Sequence, residues 1–279
     1  MEYLLSNWPG ILEQIQNAEH ILFLSDYDGT LTPIVERPEL ANISEDTRRS
    51  LQALAHERRF TVGIISGRAL ADLKVKVGIR GIIYAGNHGF EIEGPGINFV
   101  NPVAEEIKPF FRIMRQLLNM ALGTIKGVLV EDKGITLSVH YRQVEEEKAK
   151  DVRRIVERTI ARPVALGIVK VTPGKKVFEV RPAINWDKGK AIRLLMKRYG
   201  KGGRKSGLLP IYLGDDQTDE DGFQVIAKYG SGITVHIGET RLDSSARYFL
   251  KSPQEVQQFL TMLLDYGERG LLCEQLSTT

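Results

Sequence analysis

The chain has 279 residues, 42% hydrophobic and 26% charged, with a net charge of +3. This is the composition of an ordinary soluble globular protein, and so small a charge does not point to nucleic acid or an anionic membrane as the main partner. No apolar run reaches the roughly 20 residues needed to span a bilayer, the single cysteine, Cys273, cannot form an internal disulfide, and the N-terminus lacks a basic, apolar secretory pattern, so a cytoplasmic protein is expected.

Residues 21–24, Ile-Leu-Phe-Leu, predict a short central parallel strand. Ligands of open α/β sheets bind beyond the carboxyl ends of such strands, and this one runs into Asp26-Tyr27-Asp28-Gly29-Thr30-Leu31. Two carboxylates one residue apart can divide a covalent hydrolysis. One attacks as nucleophile; the other gives a proton to the leaving group and then takes one from water. The same residues would also suit an ordinary acidic turn. A calcium loop is excluded, because its fifth and sixth positions fall on Thr30 and Leu31.

A helix is predicted over 44–57, with Ser44 as N-cap and Leu51, Leu54 and Ala55 on one face. A strand over 60–65 ends at Ser66-Gly67-Arg68, and a short helix over 69–75 and a strand over 81–85 follow. This βαβαβ order implies a parallel sheet with right-handed crossovers. At a helix start, the Ser66 hydroxyl and nearby backbone N–H groups can form an anion site to which Arg68 adds charge, although Ser-Gly is also a common turn.

The middle of the chain reads differently. A helix over 103–122 leads to strands over 127–131 and 135–141 around a tight turn at Asp132-Lys133-Gly134. A charged helix over 145–159 and strands over 164–171 and 176–180, joined at Pro173-Gly174, complete an α-β-β-α-β-β unit. That order predicts an antiparallel sheet with helices on one face, inserted between two halves of the α/β unit. Residues 1–98 and 183–279 are therefore expected to form the core, and 99–182 an α+β domain of their own. Gly, Pro and Asn accumulate over 93–101 and 181–185, which are expected to serve as hinges for a closing lid.

From residue 187 the alternation resumes, with a helix over 187–199, a loop over 200–207, a strand over 209–213, a helix over 222–228, a strand over 232–235 and a helix over 253–266. Lys188 occupies a first helical turn, where the macrodipole disfavours a cation, so its position suggests an anionic neighbour. The loop Gly214-Asp215-Asp216-Gln217-Thr218-Asp219-Glu220-Asp221 follows a strand. Thr218 and Asp221 have capping-box spacing, whereas Asp215 and Asp219 suit a hard cation such as Mg²⁺.

A carboxylate pair, a hydroxyl at a helix start, a misplaced Lys and an acidic loop thus occur in order at strand exits and helix starts. This ordered set resembles the haloacid dehalogenase superfamily, and the presence of Asp28 places the resemblance with its phosphatases and mutases. A Rossmann-like parallel-sheet core is implied, with an inserted α+β cap of the C2 type, because the insert lies between the second and third motifs. Asp26-Tyr27-Asp28-Gly29-Thr30-Leu31-Thr32-Pro33, Gly86-Asn87-His88-Gly89, Val130-Glu131-Asp132-Lys133, His140-Tyr141-Arg142, Glu179-Val180-Arg181-Pro182 and the acidic loop are, further, similar to the trehalose-6-phosphate phosphatase family.

The reaction implied by this resemblance is Mg²⁺-dependent hydrolysis of trehalose 6-phosphate through an aspartyl phosphate. Asp26 is then the nucleophile and Asp28 the general acid and base, while Ser66 and Lys188 grip the phosphoryl oxygens. The resemblance assigns Mg²⁺ to the Asp26 carboxylate, the Asp28 backbone carbonyl and Asp215, with Asp219 or Asp216 behind them. Glu131, Lys133 and Glu179 are expected to take sugar hydroxyls, and Arg68, His88, Arg142 and Lys175 to be further substrate contacts. The strand residues among these also fit a solvated sheet face. Another C2-capped sugar phosphatase, for sucrose 6-phosphate or a glycosyl phosphoglycerate, would share every core residue. A phosphomutase would return the phosphoryl group to sugar, and a sugar-phosphate sensor would have no use for both Asp26 and Asp28. A small-molecule sugar phosphate is the expected partner, without nucleic acid or membrane, and a monomer is expected.

Overall fold

The computed structural model describes residues 1–174, 176–200 and 207–276, with side chains through residue 266. The chain divides into two compact units, Met1–Asn98 with Asp187–Thr279, and Phe99–Trp186. The first contains a mainly parallel sheet. Parallel strands are covered on both faces by their crossover helices, so they require continuous apolar runs. His20–Ser25 meets this condition, with Ile21, Leu22, Phe23 and Leu24 fully buried.

That strand pairs in parallel with Phe60–Ile65 on one side and Leu208–Gly214 on the other. Ile83–Gly86 continues the sheet past Phe60–Ile65, and Ile233–Ile237, Tyr248–Leu250 and Glu2–Tyr3 continue it past Leu208–Gly214. The chain thus leaves the central strand toward one edge and later returns on its opposite side, which creates a topological switch point. Ser25 lies level with both Leu213 and Ile64, so the segments after three neighbouring strands emerge together.

Several local expectations match closely. Phe60–Ile65 has the predicted bounds, and Ser44 caps the helix Glu45–His56 by accepting from the Thr47 N–H at 3.1 Å. Other elements have no readable period. Trp8–Asn17 is a helix despite Pro9, which sits in its first turn where no intrahelical N–H is needed. Residues 93–101, expected as a hinge, lie largely within the neighbouring strands Glu91–Gly94 and Ile97–Val100, the first of them antiparallel to Ile83–Gly86. The expected capping box at Thr218 does not form. Its hydroxyl donates to Asp216 Oδ1 at 2.7 Å, and the helix Glu220–Tyr229 follows Asp219.

The second unit holds a four-stranded antiparallel sheet in the order Leu129–Asp132, Leu137–His140, Val177–Pro182 and Val169–Gly174. The strand expected over 164–171 begins only at Val169. Ala161–Ala165 is helical instead, with Pro163 in a first turn that tolerates it. The turn expected at Asp132-Lys133-Gly134 is displaced onto Gly134-Ile135, since the Lys133 N–H donates to the Thr136 carbonyl at 3.0 Å.

Strand alternation sorts the side chains of this sheet. Leu137, Val139, Phe178, Val180 and Val169 pack with Phe111, Met114 and Leu118 of helix Pro102–Leu122 and with Val152 and Val156 of helix Glu146–Thr159. Glu131, Ser138 and Glu179 are directly opposed across three strands and share the other face. The ends of the unit meet where the Phe99 and Trp186 rings stack, with centroids 5.3 Å apart and planes at 25°. Phe111 is fully buried in the cluster, so Phe111→Ala is expected to lower the unfolding free energy by about 3–5 kcal/mol in a denaturant titration.

Candidate active site

Asp26 follows the central strand directly. Its N–H donates to the Leu213 carbonyl at 2.9 Å, which ties it to the neighbouring strand, and only 5% of the residue is exposed. Lys188 opens the helix Lys188–Tyr199, whose N-cap Asp187 accepts from the Lys190 N–H at 2.8 Å. The Lys188 ammonium is 2% exposed and donates to Asp26 Oδ1 at 2.8 Å and to Asp219 Oδ1 at 2.7 Å. The anionic neighbours suggested by its misplaced charge are therefore two buried carboxylates.

Asp219 is fully buried and accepts from four groups. Besides Lys188, the Tyr212 hydroxyl donates to Oδ1, and the N–H groups of Asp215 and Asp216 donate to Oδ2 at 3.0 and 3.1 Å. The carboxylate thus folds the acidic loop around itself. Asp216 turns away, accepting from the Thr218 N–H and hydroxyl, each at 2.7 Å. Asp215 points toward the first motif, where the Thr30 hydroxyl lies 3.4 Å from its Oδ1. Gly29 is essential to that approach: its φ is +86°, and an added Cβ would lie 2.2 Å from Asp215 Oδ2.

Carboxylate oxygens of Asp26, Asp215 and Asp219 lie within 4.8 Å of one another. Three hard anionic oxygen donors in this arrangement fit a metal ion. The donors around Asp219 leave Asp26 and Asp215 as the side chains better placed to contact it directly. Crowding and burial also perturb titration. Burial pushes the Asp26 carboxyl well up, with Lys188 opposing and Asp219 adding to the rise. Burial, then Asp219 and Asp216, raise Asp215 to about 7. Burial pushes Asp219 up as well, against Lys188. Lys188 keeps its charge strongly, because Asp219 and Asp26 overcome the cost of its burial. Asp216 goes the other way, to about 2: burial is outweighed by Lys188 and by its hydrogen bonds.

Asp28 has a different surrounding. Arg68 donates from Nε to Asp28 Oδ2 at 2.8 Å and from Nη2 to Oδ1 at 2.6 Å. The same guanidinium also donates to Asp72 Oδ2 and to the Pro38 carbonyl, both at 2.8 Å, and lies 5.2 Å from the Tyr27 ring centroid. Arg68, expected as a substrate contact, is in this geometry the residue that orients Asp28. Ser66 is buried at the exit of Phe60–Ile65, with its Oγ accepting from the Arg68 N–H at 3.1 Å. His88 packs over this turn. Its N–H donates to the Ser66 carbonyl at 2.8 Å, and a Cβ on Gly67 would lie 2.8 Å from its ring.

Within the insert, Lys133 Nζ lies 3.9 Å from Glu131 Oε2 and 3.7 Å from Glu179 Oε1. Arg142 follows the strand Leu137–His140 and is exposed, and Lys175 falls outside the described residues. Sequence reasoning overlooked Tyr212 and Thr30 as partners of the site carboxylates Asp219 and Asp215, and Asp72 as a partner of Arg68. It also gave no role to His140, whose Nε2 lies 2.8 Å from Glu131 Oε2. A lone Tyr in an apolar strand was the available signal for Tyr212, since a buried phenol requires a polar partner.

A parallel sheet with paired carboxylates at its switch point, a buried Lys and an acidic loop on neighbouring elements has the fold of haloacid dehalogenase-like hydrolases. A haloacid dehalogenase-like hydrolase from Bacteroides thetaiotaomicron shares the fold, with a TM-score of 0.61 at 16% identity over 88% of this chain and 99% of that one. Within that class, the family model for trehalose-phosphatase matches residues 24–254. Probable trehalose-phosphate phosphatase D of Arabidopsis thaliana is 35% identical over 278 residues, covering 96% of this chain and 73% of that protein. The C-terminal domain of C. albicans trehalose-6-phosphate phosphatase has a TM-score of 0.77 at 27% identity, covering 95% of this chain and 98% of that one. The chain belongs to the trehalose-phosphatase family. No helix among its described residues is long and apolar enough to cross a membrane.

Two outcomes follow from the acidic cluster. Because the Asp215 carboxyl is raised from 3.8 to about 7, the folded cation-free chain binds more protons than the unfolded chain between those values. Its stability should therefore fall as pH rises through this window, and a divalent cation should bind more tightly as pH rises, releasing a proton only where the carboxyl is still protonated. Calorimetric titration of Mg²⁺ in buffers of different ionisation enthalpy measures that release. Gly29→Ala introduces a side chain against Asp215 at a left-handed φ. It is expected to weaken divalent-cation binding at least about tenfold and to destabilise the fold by more than about 1 kcal/mol.

Proposed function

We propose that this chain hydrolyses trehalose 6-phosphate to trehalose and inorganic phosphate, with Mg²⁺ as cofactor and Asp26 as nucleophile. The observation that carries the chemistry is the buried Asp26 carboxylate, held at the sheet's switch point by Lys188 with Asp28 two residues away. The substrate follows from family membership and from relatives named as trehalose-phosphate phosphatases.

An Asp26 carboxylate oxygen would attack phosphorus in line, forming an aspartyl phosphate as the bond to the sugar oxygen breaks. Asp28 would give that oxygen its proton, then take one from the water that attacks the aspartyl phosphate, so that both proton and nucleophile are restored. Arg68 supports this by presenting both Asp28 oxygens in a fixed orientation. Lys188 would share its ammonium with the phosphoryl oxygens as charge develops, and Ser66 would donate to them from the adjacent strand exit.

Asp26 and Asp215, with the Asp28 carbonyl, would hold Mg²⁺, and Asp219 would keep Asp215 and Lys188 in place. The ion would supply positive charge against which an anionic substrate can approach a carboxylate nucleophile. In the insert, Glu131, Lys133 and Glu179 offer charged acceptors and a donor on one sheet face, which suits a disaccharide rich in hydroxyls. An enzyme for a different sugar phosphate would keep the core and differ on that face.

The test is phosphate release with Mg²⁺ from trehalose 6-phosphate, sucrose 6-phosphate, glucose 6-phosphate and a glycosyl phosphoglycerate. A preference for trehalose 6-phosphate of at least about a hundredfold in kcat/KM is expected, equivalent to about 2.7 kcal/mol of transition-state discrimination. A greater rate with another member of the panel overturns the substrate and leaves the core chemistry standing. Asp26→Asn should lower kcat by at least about a thousandfold, and appreciable residual turnover would remove Asp26 from the nucleophile's role.

A further inference from the structure

The two carboxylates on the polar face of the insert are not equally constrained. Glu179 lies on an interior strand, paired on both sides with Leu137–His140 and Val169–Gly174. Glu131 lies on Leu129–Asp132, an edge strand of the described sheet, paired only with Leu137–His140. A glutamate has several rotatable bonds, and fixing such a side chain costs more when nothing holds it beforehand.

His140 provides the restraint. It lies on the central neighbour of that edge strand, two residues beyond Ser138, which is directly opposite Glu131. Its Nε2 approaches Glu131 Oε2 at 2.8 Å, whereas Lys133 Nζ stands 3.9 Å from the same oxygen. An ionised carboxylate only accepts, so His140 Nε2 must carry the donated hydrogen. The backbone that carries the imidazole is held at its strand end. His140 pairs with Val177, and the next residue, Tyr141, stacks on Phe178 with centroids 4.8 Å apart and donates its N–H to the Lys176 carbonyl at 3.0 Å. The histidine side chain is 25% exposed and that of Glu131 33%, so both remain accessible.

We propose that His140 is a positioning residue that fixes the Glu131 carboxylate for recognition of a sugar hydroxyl, and so contributes to selection of the disaccharide. The inference rests on the reading of Glu131 as a sugar contact. It assigns His140 no contact with the reacting phosphoryl group.

The test compares wild type, His140→Ala, His140→Gln, Glu131→Ala and the double variant, with trehalose 6-phosphate and with p-nitrophenyl phosphate, which has no sugar. Thermal unfolding of each variant reports whether the fold is retained. His140→Ala should raise KM for trehalose 6-phosphate about tenfold, more than it lowers kcat, with a smaller loss on the aryl phosphate. His140→Gln, which can still donate, should recover most of that loss. The double variant should match Glu131→Ala, because the histidine acts through the glutamate. An unchanged KM in His140→Ala, an equal loss on both substrates, or additive effects in the double variant would overturn the proposal. If Glu131→Ala raises KM and His140→Ala does not, only the positioning role falls. If Glu131→Ala also leaves KM unchanged, the sugar contact falls and the proposal with it.

Discussion

The architecture of the site depends on one ammonium group. Lys188 lies between Asp26 and Asp219, all three nearly or wholly removed from solvent. Buried carboxylates crowded in this way repel one another, and a buried ammonium without anions would lose its proton. Each charge therefore makes the others tolerable, and removing one partner of a buried pair typically costs about 3–5 kcal/mol. The interaction also ties together segments far apart in the chain: the exit of the first long strand, the acidic loop, and the helix by which the chain resumes the core. That helix can approach closely because Gly189 lies against the Asp221 carbonyl, where an added Cβ would come within 2.4 Å.

Much of this arrangement was legible in the sequence, for a physical reason. Strands buried on both faces leave unbroken apolar runs, and the residues after them must be turn formers or functional groups. The run before Asp26 and the strand Phe60–Ile65 were accordingly readable, and with them the positions of Asp26, Ser66 and Asp215. Register and side-chain direction were not. Nothing local shows that Asp219 turns inward to four donors while Asp216 turns outward to Thr218. Arg68 likewise read as a cation available to a ligand, because its ties to Asp28 and the Pro38 carbonyl depend on how distant segments fold.

The segment after Ile83–Gly86 illustrates the same limit. Asn87, His88 and Gly89 follow one another at φ of 51°, 58° and 87°, a run of left-handed conformation. Asn tolerates this region better than most residues, and its side chain donates to Glu91 Oε2 at 2.7 Å. The fully buried Asn87 is thus explained by backbone geometry, and the turn it permits sets His88 over Ser66 and Gly67. A sequence motif can in this way mark a conformational requirement as readily as a chemical one.

The aromatic clasp between Phe99 and Trp186 has a consequence for how the chain is partitioned. Because the first and last residues of the inserted unit meet, that unit begins and ends at almost one point. To the chain on either side it is a closed loop, and the entropy of closing a loop grows only slowly with its length. The insert is therefore a topologically detachable module: its length and composition can vary without requiring the parallel strands to change order. The hydrolytic centre and the polar sheet face can then diversify at different rates along one continuous polypeptide.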